Sequence, residues 1–239
     1  MVANYGGPMR LFEAEADGRT VLDKASEAGV ALTTGGRALV SGPIISSRTD
    51  IFANNEGYAA GGRRLETEAE TAARPTEVEE EATRASAAAA SSSLGPASSP
   101  GRSLSHTLET RVDRSNYMFV NLGDGTFRDD AAAVGLRDES NTGRGTALFD
   151  ANGDGLIDIV YGNWNAQHRL FLQQRDEAGG VSFTDAAPAD MAEPSRVRTV
   201  IVADFDNDGY EEIFYNNIPG ENRLFNPSPN PDPYPNPKP

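Results

Sequence analysis

Two stretches of the chain place oxygen-bearing side chains at alternate positions. One runs Asp150-Ala151-Asn152-Gly153-Asp154-Gly155-Leu156-Ile157-Asp158, the other Asp204-Phe205-Asp206-Asn207-Asp208-Gly209-Tyr210-Glu211-Glu212. Both read D-x-[DN]-x-D-G-x-x-[DE], a pattern suited to a hard cation. Ca²⁺ takes about 6–8 oxygens at roughly 2.3–2.6 Å. Oxygens at positions 1, 3 and 5 can wrap one ion, glycine at 6 permits the sharp turn, the carbonyl of position 7 points inward and an acid at 9 closes the shell. The expected ligands are therefore Asp150, Asn152, Asp154, the Leu156 carbonyl and Asp158, then Asp204, Asp206, Asp208, the Tyr210 carbonyl and Glu212. Asp, Asn and Gly also favour plain solvated turns. Two copies in register, each closed by an acid, favour calcium over that reading. An EF-hand fails because position 12, where it needs glutamate, holds Tyr161 and Tyr215. The corresponding earlier segment, Gly42 to Asp50, has Asp50 as its only acid and is expected to be metal-free.

Other chemistry finds little support. The chain has no cysteine, which excludes zinc-thiolate sites, disulfides and a cysteine nucleophile. It has two histidines, His106 and His168. His168 precedes the strand Arg169-Leu170-Phe171, but no G-x-S-x-G elbow accompanies it, so it reads as structural rather than as a general base. Trp164, between Asn163 and Asn165, reads as a packing aromatic before a binding one. Gly123-Asp124-Gly125 lacks the helix and lysine of a phosphate loop and reads as a hairpin turn.

The elements that must hold the two loops repeat. A short strand recurs at Arg10-Leu11-Phe12, Tyr117-Met118-Phe119, Arg169-Leu170-Phe171 and Arg223-Leu224-Phe225. Turn signals follow at Ala16-Asp17-Gly18, Gly123-Asp124-Gly125 and Glu177-Ala178-Gly179-Gly180, and segments ending in Gly29-Val30 and Gly135-Leu136 come next. An alternating strand closes each cycle at Asp50–Asn55, Asp158–Asn163 and Glu212–Asn217. Its starts at 50, 158 and 212 are 108 and 54 residues apart. The doubled first step encloses a segment of different character. Short helices of at most two turns fit Val21–Ala28 and Asp130–Val134. Repeats of this length built from short strands predict an all-β chain of propeller-like blades, with a β-sandwich as the other candidate.

Residues 59–115 hold no aromatic residue and few large aliphatics. They cannot bury enough apolar surface to offset roughly 1–2 kcal/mol of backbone entropy per residue. They are expected to form a disordered low-complexity insertion. Residues 226–239 carry proline at every second position and read as a polyproline tail. The repeats then occupy 10–58 and 116–225. Among its 239 residues, 21 are Lys or Arg and 36 Asp or Glu, for a net charge of −15. Such a charge argues against nucleic acid or an anionic membrane surface as partner and for cations. No apolar run approaches a membrane span, and the N-terminus shows no signal-peptide pattern.

The strand-flanked calcium loop resembles the FG-GAP (VCBS) repeat. Gly42-Pro43-Ile44-Ile45-Ser46-Ser47, Asp50-Ile51-Phe52, Gly143-Arg144-Gly145, Asp158 to Asn165 and Val197 to Ile201 resemble the cartilage acidic protein family more closely. The resemblance covers about 10–58 and 116–225. It implies an extracellular, calcium-binding β-propeller module with a structural, adhesion or matrix role and a protein or glycan partner. The expectation is a partial propeller of about three blades, not an enzyme. The alternative is a fragment of a carbohydrate-active or hydrolytic propeller enzyme whose catalytic residues lie in other blades. Three blades would leave terminal faces carrying Phe12, Ile51, Phe214 and Phe225 without partners, so self-association through open faces is expected.

Overall fold

The computed structural model describes residues 1–56, 114–139 and 142–227. The insertion expected at 59–115 lies outside them except for Arg114 and Ser115, as does the tail from 228 onward. In chain order the strands are β1 (Tyr5–Pro8), β2 (Phe12–Ala14), β3 (Val21–Asp23), β4 (Thr33–Gly42), β5 (Asp50–Asn55), β6 (Tyr117–Asn121) and β7 (Phe127–Asp129). Then come β8 (Gly143–Phe149), β9 (Asp158–Ala166), β10 (Arg169–Arg175), β11 (Val181–Asp185), the helical turn α1 (Ala189–Ala192), β12 (Ser195–Ala203), β13 (Glu212–Asn217) and β14 (Arg223–Phe225). The all-β expectation holds, and every strand pairing is antiparallel.

Three meanders follow one another: β4–β7, β8–β11 and β12–β14, with β1 on the edge of the first and the β2–β3 hairpin ahead of it. The start of β12 also pairs with the end of β9, at Ser195↔Ala166 and Arg196↔Trp164, which links the second meander to the third. The motif repeat is offset from these sheets. It starts on a third strand and ends on the second strand of the next meander, because its recognisable residues mark turns and loops rather than sheet boundaries. The long insertion falls in the β5–β6 hairpin link, which in the second meander is only Gln167-His168.

The second strand is buried on both faces in the first two meanders and on one face in the third, alternate side chains pointing to opposite sides. Ile51 and Ala53 meet Met9, Ala25, Ala28 and Val30 of the N-terminal segment, and Phe119 joins them. Phe52 points the other way, with Met118, onto Ile159, Tyr161 and Phe171 of the second meander. Val160 and Leu170 in turn meet Ile213 and Tyr215 of the third, where Phe225 packs. Two residues expected to lie on open faces are therefore covered: Ile51 by the N-terminal segment and Phe225 by the second meander. Phe12 is exposed as expected, and Phe214 is half-buried.

Segments joining one meander to the next fill the wedges between them. Val30 and Leu136, which end the Gly-Val and Gly-Leu segments, are fully buried. Val21–Asp23 is strand β3, not the start of a helix, and Asp130–Val134 is a lone turn closed by Val134 N donating to Asp130 O at 3.0 Å. Its third counterpart is α1, which the sequence reading missed; Met191 anchors it in the core between the second and third meanders. Ser115, assigned above to the insertion, is buried and accepts a hydrogen bond from Arg137 Nε at 3.2 Å. Ser115 is thus a packed residue, inside the bound that composition suggested for the insertion.

First strands of successive meanders lie side by side, β4 against β8 and β8 against β12. At Gly145 the backbones come so close that an added Cβ would sit 2.4 Å from Val200 N and 2.8 Å from Thr199 Cα. Backbone atoms in a paired strand cannot swing aside as a side-chain tip can. Gly145→Ala is expected to destabilise the fold by about 1–3 kcal/mol, seen as a lower urea midpoint at unchanged slope.

Candidate metal centre

Both acidic loops connect the first strand of a meander to its second: Asp150–Ile157 between β8 and β9, and Asp204–Glu211 between β12 and β13. Four internal hydrogen bonds recur in both loops, and the first loop adds Gly153 N donating to Asp150 Oδ1 at 2.7 Å. Asp150 Oδ1 and Asn152 Oδ1 each accept from Asp154 N at 3.0 Å, Asp150 Oδ2 from Gly155 N at 2.9 Å and Asp154 Oδ1 from Leu156 N at 2.8 Å. In the second loop Asp204 Oδ1 and Asp206 Oδ1 accept from Asp208 N at 3.1 Å, Asp204 Oδ2 from Gly209 N at 3.0 Å and Asp208 Oδ1 from Tyr210 N at 2.8 Å. Such winding needs left-handed backbone at position 6, where Gly155 has φ 84° and Gly209 φ 90°. Position 4 is left-handed too, as Gly153 in one loop and Asn207, at φ 62°, in the other.

Among the described residues, carboxylate oxygens of Asp204, Asp206 and Asp208 converge within 4.8 Å of one another. The first loop brings Asp150, Asn152 and Asp154 into the same winding, with Asn152 Nδ2 donating to Asp154 Oδ2 at 2.9 Å. Amide for carboxylate at position 3 gives that loop one fewer negative charge. Leu156 and Tyr210 hold position 7 of each loop, their N–H groups bonded inward to position 5.

The acid at position 9 does more than the sequence reading assigned to it. Asp158 is fully buried; Oδ2 accepts from Ala151 N at 2.9 Å and Oδ1 from Gln173 N on β10 at 2.7 Å. It pins the loop entrance to the third strand. Burial, with added repulsion from Asp154 and Asp150, pushes its carboxyl up to about 6 against those two donors. Asp50 does the same in the first meander, accepting from Ile45 N at 2.8 Å, Ser46 N at 2.7 Å, Ser46 Oγ at 2.8 Å and Asn121 N at 2.9 Å.

Glu212 departs from that pattern. Its Oε2 accepts from Phe205 N at 2.7 Å, but its Oε1 is buried with no hydrogen-bond partner. The reason lies in the register. Asn121 and Gln173 each stand one residue beyond the position facing the acid, and the matching residue here is Pro227, which has no N–H. Burial first, then Asp206, Asp208 and Asp204, raise the Glu212 carboxyl above its ordinary value. Among the described residues the converging group is Asp204, Asp206 and Asp208, without Glu212; a buried carboxylate oxygen without a donor is nonetheless a cost that a cation relieves.

Residues 150–215, which contain both loops, match the FG-GAP-like repeat family. The chain carries an FG-GAP-like repeat. Over 94% of its length it is also similar to cartilage acidic protein 1, at 39% identity to the human protein, 38% to that of Mus musculus and 37% to that of Xenopus tropicalis. It spans 28% of the length of these relatives. The FG-GAP match begins at Asp150, the first position of one loop, and ends on β13, beyond the closing acid of the other.

Away from the FG-GAP loops, Trp164 is buried, with the guanidiniums of Arg144, Arg196 and Arg198 at 4.9, 5.6 and 4.4 Å from its ring. Arg37, Arg144 and Arg198 occupy one equivalent place, each in the irregular stretch of a first strand. Glu56, fully buried, bonds both Arg37 and Arg144 and so ties two first strands together. The sequence reading overlooked this row, because three arginines scattered over 37–198 carry no local motif.

His168 is fully buried and edge-on to Tyr215 at 4.8 Å. Its Nδ1 accepts from Asn163 N at 3.0 Å, so the proton of the neutral ring sits on Nε2, 2.7 Å from Ser195 Oγ. Ser195 then donates to Asn217 Oδ1 at 2.8 Å. This polarity is opposite to that of a catalytic serine, whose proton the histidine must accept. Burial, and secondarily Arg223, lowers the His168 pKa from 6.5 to about 4. A depressed folded-state value means His168 contributes stability present above pH 6.5 and lost as pH falls towards 4. The stability difference between the protein and its His168→Gln variant should therefore shrink by on the order of 3 kcal/mol between pH 7 and pH 4, measured by urea unfolding across that range.

Proposed function

We propose that this chain is a calcium-binding module of propeller-type FG-GAP blades with a structural or adhesive role in the extracellular matrix, and that it is not an enzyme. The observation that carries the reading is the second loop: three carboxylates within 4.8 Å and a buried Glu212 oxygen without a donor. Asp204, Asp206, Asp208, the Tyr210 carbonyl and Glu212 would hold one ion there. Asp150, Asn152, Asp154, the Leu156 carbonyl and Asp158 would hold another. The ion would supply charge neutralisation, and the second loop supplies a winding in which the carboxylate oxygens of Asp204, Asp206 and Asp208 already converge.

Similarity to cartilage acidic protein 1 supports the matrix setting. The serial stacking of antiparallel meanders, first strands side by side, supports blades. Against the hydrolase alternative, the hydroxyl proton of Ser195 points to Asn217 and not to His168. The first meander's loop is closed by Ser46 and backbone donors on Asp50, which supports a metal-free loop there.

Calcium that binds only the folded chain should add about 2.7 kcal/mol at a hundredfold excess over Kd. Thermal unfolding in calcium and in EDTA reads this directly. A melting temperature that EDTA leaves unchanged would sink the calcium reading. Asp208→Ala should abolish roughly the second loop's share of the calcium-dependent increment and leave the first loop's share intact.

A further inference from the structure

Four phenylalanines occupy one equivalent place, on the third strand or its counterpart: Phe12, Phe119, Phe171 and Phe225. Three are seated on the meander or segment before them. Phe119 lies in the core with Met9 and Val30, Phe171 in the core with Phe52 and Met118, and Phe225 against Val160 and Leu170. Phe12 is 51% exposed, and Val21, brought to the same face of the β2–β3 hairpin by the pairing Ala14↔Val21, is exposed as well.

The faces that receive these phenylalanines also recur. In the first meander Val40, Phe52 and Met118 are direct cross-strand neighbours, and in the second Ala147, Val160 and Leu170 are. Each row is covered by the following meander. The third meander has the same row, Ile201↔Phe214↔Leu224. Among the described residues nothing covers it: Ile201 is 46% and Leu224 56% exposed. Phe205, whose counterpart Ala151 is buried in the second meander's joint, lies exposed beside Phe214 at 6.4 Å between ring centroids.

The described residues thus present one uncovered phenylalanine face and one uncovered row, the two halves of a joint that the chain itself makes between its meanders. We propose that two copies of this chain associate head to tail, the Phe12–Val21 face of one seated on the Ile201–Phe214–Leu224 row of the other. The two surfaces differ, so the contact is heterologous; it closes into a ring or extends, according to the rotation it imposes. Apolar burial drives it, and the net charge of −15 opposes it, so salt strengthens the association.

Sedimentation velocity of the 239-residue chain in calcium buffer, over a wide concentration range, tests this. The unaltered chain should form concentration-dependent oligomers. Phe12→Glu and Leu224→Glu should each weaken association by about tenfold or more and sediment as monomers. An equimolar mixture of the two variants should form a dimer and nothing larger, since each retains one intact face. A chain that is monomeric throughout, a variant that still associates alone, or a mixture that stays monomeric would overturn the proposal. Circular dichroism melts verify folding; if either variant melts early, Phe12→Ser and Ile201→Lys replace them with the same expected outcomes.

Discussion

A buried carboxylate at the head of the second strand ties each meander together. Asp50, Asp158 and Glu212 each reach back to the N–H groups of the preceding loop, and the first two also reach across to the third strand. Loop, second strand and third strand are thereby fixed by one side chain. Burying an ionised carboxylate without donors is expensive, and the three meanders meet that cost differently. Asp50 has four donors, one of them the Ser46 hydroxyl. Asp158 has two backbone donors and a carboxyl pushed up to about 6. Glu212 has one donor and a bare oxygen. The shortfall grows in the loops rich in aspartate, where a cation would supply what the donors do not.

From that pin the stacking follows. With the head of the second strand held, its alternating residues face opposite sides: Ile51, Ile159 and Ile213 pack one way and Phe52 and Val160 the other, while Phe214 stands half-buried on the uncovered row. First strands can lie side by side because Gly145 lets the β8 backbone touch β12 and because Glu56 pairs with Arg37 of β4 and Arg144 of β8. The stacking also explains why Tyr161 and Tyr215 stand where an EF-hand would carry glutamate. Both are fully buried core residues of a strand, not ligands of a helix-flanked loop.

Much of this was legible in the sequence. Loop composition and the second strands are short-range patterns, and their spacing of 54 residues exposed the repeat. The sheet boundaries were not legible, because a strand pairing leaves no mark that distinguishes the end of one meander from the start of the next. Burial of Ile51 and Phe225 depends on which segment lies alongside, which local pattern cannot reveal. The loop positions were readable, but the backbone donors on Asp158 and the orphaned oxygen of Glu212 required the register that sets Gln173 and Pro227 at the same place. Pro227 had been read only as the start of a tail. The surroundings of His168 were not legible either: its proton direction depends on Asn163 and Asn217, residues far from any motif.

The proposed calcium sites are the two loops Asp150–Asp158 and Asp204–Glu212, and not the Gly42–Asp50 loop. Isothermal titration of the metal-stripped chain with Ca²⁺ tests this most directly. The account predicts two ions bound per chain, with one lost in Asp154→Ala and the other in Asp208→Ala. Absence of binding, or a stoichiometry that both substitutions leave untouched, would contradict it.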